Sequence, residues 1–461
     1  MKQRALVLVA SLVVLVTIIS LAFAAPIRAD SAITVTSNKF TNQFPTQLLF
    51  DLGAQSSAKI TQVALVVQIG QCVSNRYLPD FTPGNQVQAS YAWDMRKNYM
   101  PPGTSGQFWW SIQDDAGNQL QSAKLPFRVD DPAHVWQKLA NDQLALYWYT
   151  GGADFGQALY ARGGKAIEFL QQQFAVKLDQ QVQIFIYGNH TDLLKSLAVG
   201  AQEWTGGQDF PEYSIVMIGV APTELDWGLG ATAHELTHQV VHRTIQNGCS
   251  SLGSASLPPL MDEGLAVYNE NPGSADPQFT LAVKRAVQND TLIPIRSLTS
   301  AFPADSAMAN LSYGESWSFV DFLIRVHGKD KMGQFLNATK QGGTIDDLMH
   351  GVYGLDLDGL EGEWRKDIGA QPHAIPTRNS AAPTPFPTFG LSTGDTPVAA
   401  SPRATATTQA VAVNATPVPA PTSVPSSPAN PVTNLCGGGF SFIALGIVGV
   451  ALWKRKRNLQ V

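Results

Sequence analysis

The pentapeptide His234-Glu235-Leu236-Thr237-His238 restricts its surroundings more than any other stretch of this chain. Residues i and i+4 share one face of an α-helix, so in a helix both imidazoles aim at one point. The flanking pattern predicts such a helix from Leu229 to Ile245, with Leu236, Val240 and Val241 near one stripe. Two imidazoles and one further ligand suit zinc, and Glu235 stands where it can reach a water held by the metal. The competing reading is two surface histidines with a chance glutamate between them. Only eight histidines occur in 461 residues, which favours the metal.

A zinc ion that keeps one position open for water needs a third protein ligand. Glu263 is the candidate, in Asp262-Glu263-Gly264-Leu265-Ala266 near the start of the next predicted helix. By itself it reads equally well as a carboxylate favoured by the helix dipole. His242 continues the histidine row but would drift off the metal, which makes it a supporting or surface group. His327 closes a later amphipathic helix and reads as a C-terminal helix histidine.

Together, the two motifs resemble the gluzincin metallopeptidases, and more closely the bacterial peptidase MA-like family of exported proteins. The resemblance rests on Ala233 to Val240, on Leu257 to Ala266 and on Tyr313-Gly314-Glu315-Ser316-Trp317-Ser318-Phe319-Val320, and covers about Leu144 to Trp364. It implies Zn²⁺ held by His234, His238 and Glu263, Glu235 as general base, and a peptide or protein substrate. It also implies that the strand Ser214 to Ala221 is the edge strand that pairs with an extended substrate. Tyr313 is the candidate donor to the oxyanion of the tetrahedral intermediate. The aspartate expected four residues after the glutamate ligand is replaced by Val267, so a histidine must be oriented from elsewhere, with Asn269 and Glu270 as candidates.

The expected architecture is multidomain. Lys2, Arg4 and the apolar run Ala5 to Ala25 read as a signal peptide over 1–25, with an uncleaved anchor as the alternative. Residues 31–130 alternate in short runs separated by Gly, Pro, Asn and Asp, predicting an all-β, Ig-like sandwich of about seven strands. Residues 134–370 begin with strands and helices and become mainly helical, the α+β thermolysin-like (gluzincin) metallopeptidase domain that the resemblance implies. Residues 376–432 are rich in Pro, Ser, Thr and Ala with almost no charge, a composition that cannot bury a core and predicts a disordered stalk. Residues 435–453 are uncharged and apolar over a length that just spans a bilayer, and the basic tail 454–461 places the C-terminus in the cytoplasm. The chain is therefore expected in the cell membrane, single-pass, with an extracellular ectodomain.

Cysteine usage is sparse. Cys436 lies at the membrane edge, which leaves Cys72 and Cys249 as the one disulfide pair, or as two unrelated thiols. A net charge of −5 without a basic stripe between the termini excludes nucleic acid as a partner. The function that follows is a cell-surface zinc metallopeptidase. The alternative is a catalytically silent, peptidase-like binding or adhesion protein displayed on a stalk.

Overall fold

A computed structural model describes residues 32–70, 74–178, 180–201, 206–245, 256–303 and 305–373. The signal segment, the stalk, the apolar 435–453 segment, the basic tail and the residues Cys72, Cys249 and Cys436 lie outside these. Among the described residues no helix is long and apolar enough to cross a membrane.

The first region is all-β: β1 (Ile33–Gln43), β2 (Gln47–Ile69), β3 (Asn75–Tyr77), β4 (Gly84–Asp94), β5 (Ser105–Asp114), β6 (Gln119–Gln121) and β7 (Leu125–Arg128). The Ig-like reading expects two separate sheets, whereas these seven strands form one hydrogen-bonded sheet. The reason is β2. Its first half pairs with β1 and β4, and its second half with β5 and β3. Leu48, Phe50, Leu52 and Ala54 point into the core from the first half, and Val63, Leu65 and Val67 from the second. That change from even to odd positions needs one extra residue, and the register supplies it between Ile60 and Gln62, where the ladder shifts. Phe50 on the first half meets Phe108 and Phe127 edge-on, with ring centroids 5.0 and 5.7 Å away, so the two halves face each other across one core.

The second region opens with β8 (Gln137–Ala140) and β9 (Leu144–Trp148), then α1 (Gly152–Phe174), β10 (Val182–Tyr187), α2 (His190–Ser196), β11 (Gly207–Phe210) and β12 (Ile215–Gly219). The strand order is β11-β12-β10-β9-β8, with β9, β10 and β12 parallel and the two outer strands antiparallel to their neighbours. Alternation sorts the side chains between two cores. Ile184, Ile186, Val216 and Ile218 face the helices, and Phe185, Tyr187, Ile215 and Met217 face the other way. Tyr99 of the first region packs on that other face, its ring centroid 5.7 Å from Phe210, and its hydroxyl donates to the Ser196 carbonyl. Gly103 lies so close to Phe185 that a Cβ would come within 2.7 Å of the ring.

The strand expected at Ser214 to Ala221 exists, but it is not an edge. β12 is paired on both sides, and β11 takes the outer position. Gly207-Gln208-Asp209-Phe210 carries no alternating apolar signal, so nothing in its composition announces a strand.

Among the described residues seven α-helices follow: α3 (Leu225–Ile245), α4 (Pro259–Glu270), α5 (Pro277–Asn289), α6 (Ser306–His327), α7 (Lys329–Thr339), α8 (Ile345–Tyr353) and α9 (Leu357–Asp367). Pro259 opens α4 at its first position, where a missing N–H costs nothing. α3 is buried on nearly every face from Ala231 to Arg243, because α1, α4 and β11 surround it. Arg162 of α1 donates to the carbonyls of Asn269 and Glu270 at 2.6 and 2.9 Å, satisfying the end of α4. Asn269 in turn donates to Thr237 Oγ1 at 2.8 Å, tying α4 to α3.

Glu315, within the Tyr313 to Val320 stretch of α6, is fully buried. One oxygen accepts from the Ile293 N–H at 2.9 Å and the other has no partner. Burial pushes its carboxyl up from 4.5 to about 8, against the pull of the Ile293 bond and Arg365. Above the unfolded value the unfolded chain releases a proton that the folded chain keeps. Stability contributed here therefore falls as pH rises from about 4.5 to about 8 and is level outside that window. Glu315→Gln keeps the Ile293 bond and removes the titration. Its melting temperature is expected to match the parent near pH 4 and to exceed it near pH 8, the stability difference there being on the order of 4 kcal/mol.

Candidate metal centre

Helical spacing on α3 puts His234 and His238 one turn apart, with ring centroids 4.8 Å from each other. The first turn of α4 delivers Glu263 to them. Its Oε2 lies 3.2 Å from His234 Nε2 and 3.5 Å from His238 Nε2. The helix crossing that allows this depends on Gly264, whose absent Cβ would sit 2.6 Å from the Ser316 carbonyl oxygen of α6.

Each imidazole is held from behind. His234 Nδ1 pairs with Glu270 Oε1 at 2.7 Å, and His238 Nδ1 pairs with Asp262 Oδ1 at 3.0 Å. A carboxylate on Nδ1 fixes that nitrogen as a donor and leaves Nε2 as the ring atom that faces Glu263. Of the two residues expected to orient a histidine in place of Val267, Glu270 touches His234, and Asn269 is bonded to Thr237 instead. Asp262 is the orienting residue that sequence reasoning missed. Its place beside Glu263 was visible, but only the helix crossing shows that it faces His238.

Among the described residues, His234 Nε2, His238 Nε2 and Glu263 Oε2 are buried and have only one another as polar neighbours, with no well-formed hydrogen bond. Three such atoms at one point would be costly unless something else satisfies them. Metal–ligand bonds of about 2.0–2.1 Å in a tetrahedron separate ligand atoms by about 3.3 Å, and the two Nε2-to-Oε2 distances lie on either side of that value. The residues therefore fit one small divalent metal. Without it the charges must balance among themselves. Burial opposes an imidazolium at His234, but Glu263 and Glu270 outweigh burial and hold its pKa at about 9. Burial likewise works against charge on His238 and Glu263, yet Asp262 and then Glu263 raise the first, and His238 with His234 lowers the second.

Glu235 is fully buried and neither of its carboxylate oxygens has a hydrogen-bond partner among the described residues. Burial pushes its carboxyl up to about 8, with His238 and His234 pulling it part of the way back. It abuts the edge strand, because a Cβ on Gly207 would come within 2.8 Å of its Oε1. Gly207 is thus the residue that lets β11 approach Glu235.

The remaining candidates have the following neighbours. The Tyr313 ring is buried, stacks on Phe279 and meets Phe302 edge-on, in a small apolar cluster with Val267 and Ala275. His327 Nε2 pairs with Glu363 at 3.1 Å, between the rings of Phe322 and Tyr353. His242 is no surface group. It is buried, bonded to Asp209 and Asp262, and those bonds raise its pKa to about 10 against the effect of burial.

Residues 163–370 match a family model described as the Peptidase MA superfamily, a match that supports a peptidase-type domain there. No curated protein matches the chain. Among solved structures, aminopeptidase A of Legionella pneumophila in complex with aspartic acid is 11% identical at a TM-score of 0.32, over 72% of this chain and 49% of its own. The chain therefore spans about half the length of that protein. An aminopeptidase N family protein from Idiomarina loihiensis is 12% identical at a TM-score of 0.32, over 71% of this chain and 72% of its own.

Proposed function

We propose that the chain is a zinc-dependent metallopeptidase that hydrolyses peptide bonds with Glu235 as general base. The observation that carries this is the buried convergence of His234 Nε2, His238 Nε2 and Glu263 Oε2 at 3.2 and 3.5 Å, with the Glu235 carboxylate beside them and no hydrogen-bond partner for it among the described residues. His234, His238 and Glu263 would hold the zinc. When bound, zinc supplies a Lewis acid that polarises a carbonyl and brings the pKa of water towards neutrality.

Glu235 would take the proton of the attacking water and return it to the leaving amine. A cation beside Glu235 would offset the burial that raises its carboxyl, so the base would be ionised when it is needed. Substrate alignment would fall to β11. Gly219 N–H donates to the Gly206 carbonyl and Gly207 stands opposite Ile218, so Gly207 and Asp209 occupy positions whose backbone groups face away from β12. An extended peptide added there would lie along the Gly207 backbone, next to Glu235. Attachment to a membrane through residues 435–453, with the peptidase domain outside, is part of the same proposal and rests on the hydropathy and charge of that segment.

The test is chemical. The full chain is purified, its zinc is measured, and a peptide library is digested before chelation, after it, and after zinc is returned. About one zinc per chain and cleavage that follows the metal are expected. A chain without zinc, or cleavage indifferent to chelation, would overturn the proposal.

A further inference from the structure

The edge strand is joined to a metal-site histidine by an unbroken run of buried hydrogen bonds. Asp209 Oδ2, on β11, pairs with His242 Nδ1 at 2.9 Å. His242 Nε2 pairs with Asp262 Oδ2 at 3.0 Å, and Asp262 Oδ1 pairs with His238 Nδ1 at 3.0 Å. All four residues are at most 8% exposed. Asp209 and His242 belong neither to the three ligand candidates nor to the base, and the reaction derived above does not use them.

Geometry explains how the run arises. Successive i+4 steps on a helix turn by about 40°, so the third histidine of the row leaves the metal and faces the neighbouring strand. On β11 the residues two apart share a face. Gly207 therefore lies against Glu235, and Asp209 against His242. On its opposite face the same strand is packed by Tyr99 through Phe210. A buried ionisable pair contributes little to stability compared with an apolar pair of the same volume, so stability alone gives weak grounds for one here.

We infer that Asp209 and His242 are positioning residues: through Asp262 they fix the ring of His238, and they hold the substrate-binding edge at a set distance from the metal. The strand that aligns a peptide and the centre that cuts it are then one mechanical unit. This inference rests on the metallopeptidase reading above.

The test uses the metal alone as probe. Zinc affinity of the full chain is measured by competition with a chromogenic chelator, and the visible spectrum of the cobalt-substituted protein reports ligand geometry. Asp209→Ala and His242→Gln are each expected to weaken zinc binding by about 10–100-fold and to shift the cobalt bands. The double variant should lose no more than the worse single one, because both break the same run. Asp209→Asn keeps an oxygen for His242 Nδ1 and should recover most of the loss. If Asp209→Ala does not fold, His242→Gln, Asp209→Asn and their combination test the same coupling. Parental affinity and unchanged cobalt bands in folded single variants, or losses that add in the double, would overturn the inference. A parent chain that binds no zinc would overturn the metallopeptidase reading as well.

Discussion

Glu235→Gln is expected to lower peptide hydrolysis by about 10²–10⁴-fold, while zinc content stays at the parental level. The side chain is fully buried and neither oxygen is engaged, so an isosteric amide fits the same space. Its loss removes no hydrogen bond from the fold, and the burial that pushes the carboxyl up to about 8 disappears with the charge. The variant should therefore be at least as stable as the parent. His234, His238 and Glu263 keep their orienting partners, so the metal is retained. Hydrolysis at the parental rate with zinc bound would remove Glu235 from the proposed mechanism. Hydrolysis lost together with zinc would mean that the variant had disturbed the site rather than the base.

Gly264→Ala is the second large effect. The added methyl would lie 2.6 Å from the Ser316 carbonyl oxygen and 2.7 Å from Val320 Cγ2. The first of these is backbone of α6 and cannot turn aside, so α4 must move away. Overpacking of this kind costs about 1–3 kcal/mol. Glu263 precedes Gly264, so the same movement draws Oε2 away from the two Nε2 atoms, now 3.2 and 3.5 Å distant. A lower melting temperature and weaker zinc binding are expected together, read by calorimetry and by chelator competition. Parental zinc affinity in a destabilised Gly264→Ala would show that the helix crossing does not set the ligand position.

The residues that bear chemistry in a regular helix were legible because their spacing is their signal. His234, His238 and Glu263 needed only the i+4 rule and a following helix, and the structure brings them to one point. The mainly helical character of the later part of residues 134–370 was readable for the same reason. What sequence could not supply was anything fixed by contact between elements. β11 has four residues and little apolar character, and is buried because α3 and β12 cover it. The apolar run of β12 drew attention to the wrong strand. Asp262 looked like a companion of Glu263, yet it bridges two histidines of another helix. Likewise the even-to-odd switch along β2 was invisible, because a bulge residue such as Thr61 carries no compositional mark.

That long strand has a consequence for how the front module comes apart. Both layers hang on β2, so neither owns a complete set of strands, and a cut or a pull that removes β2 from one layer strips the other too. The module should yield under force in a single rupture, and a nick anywhere between Gln47 and Ile69 should release no stable half.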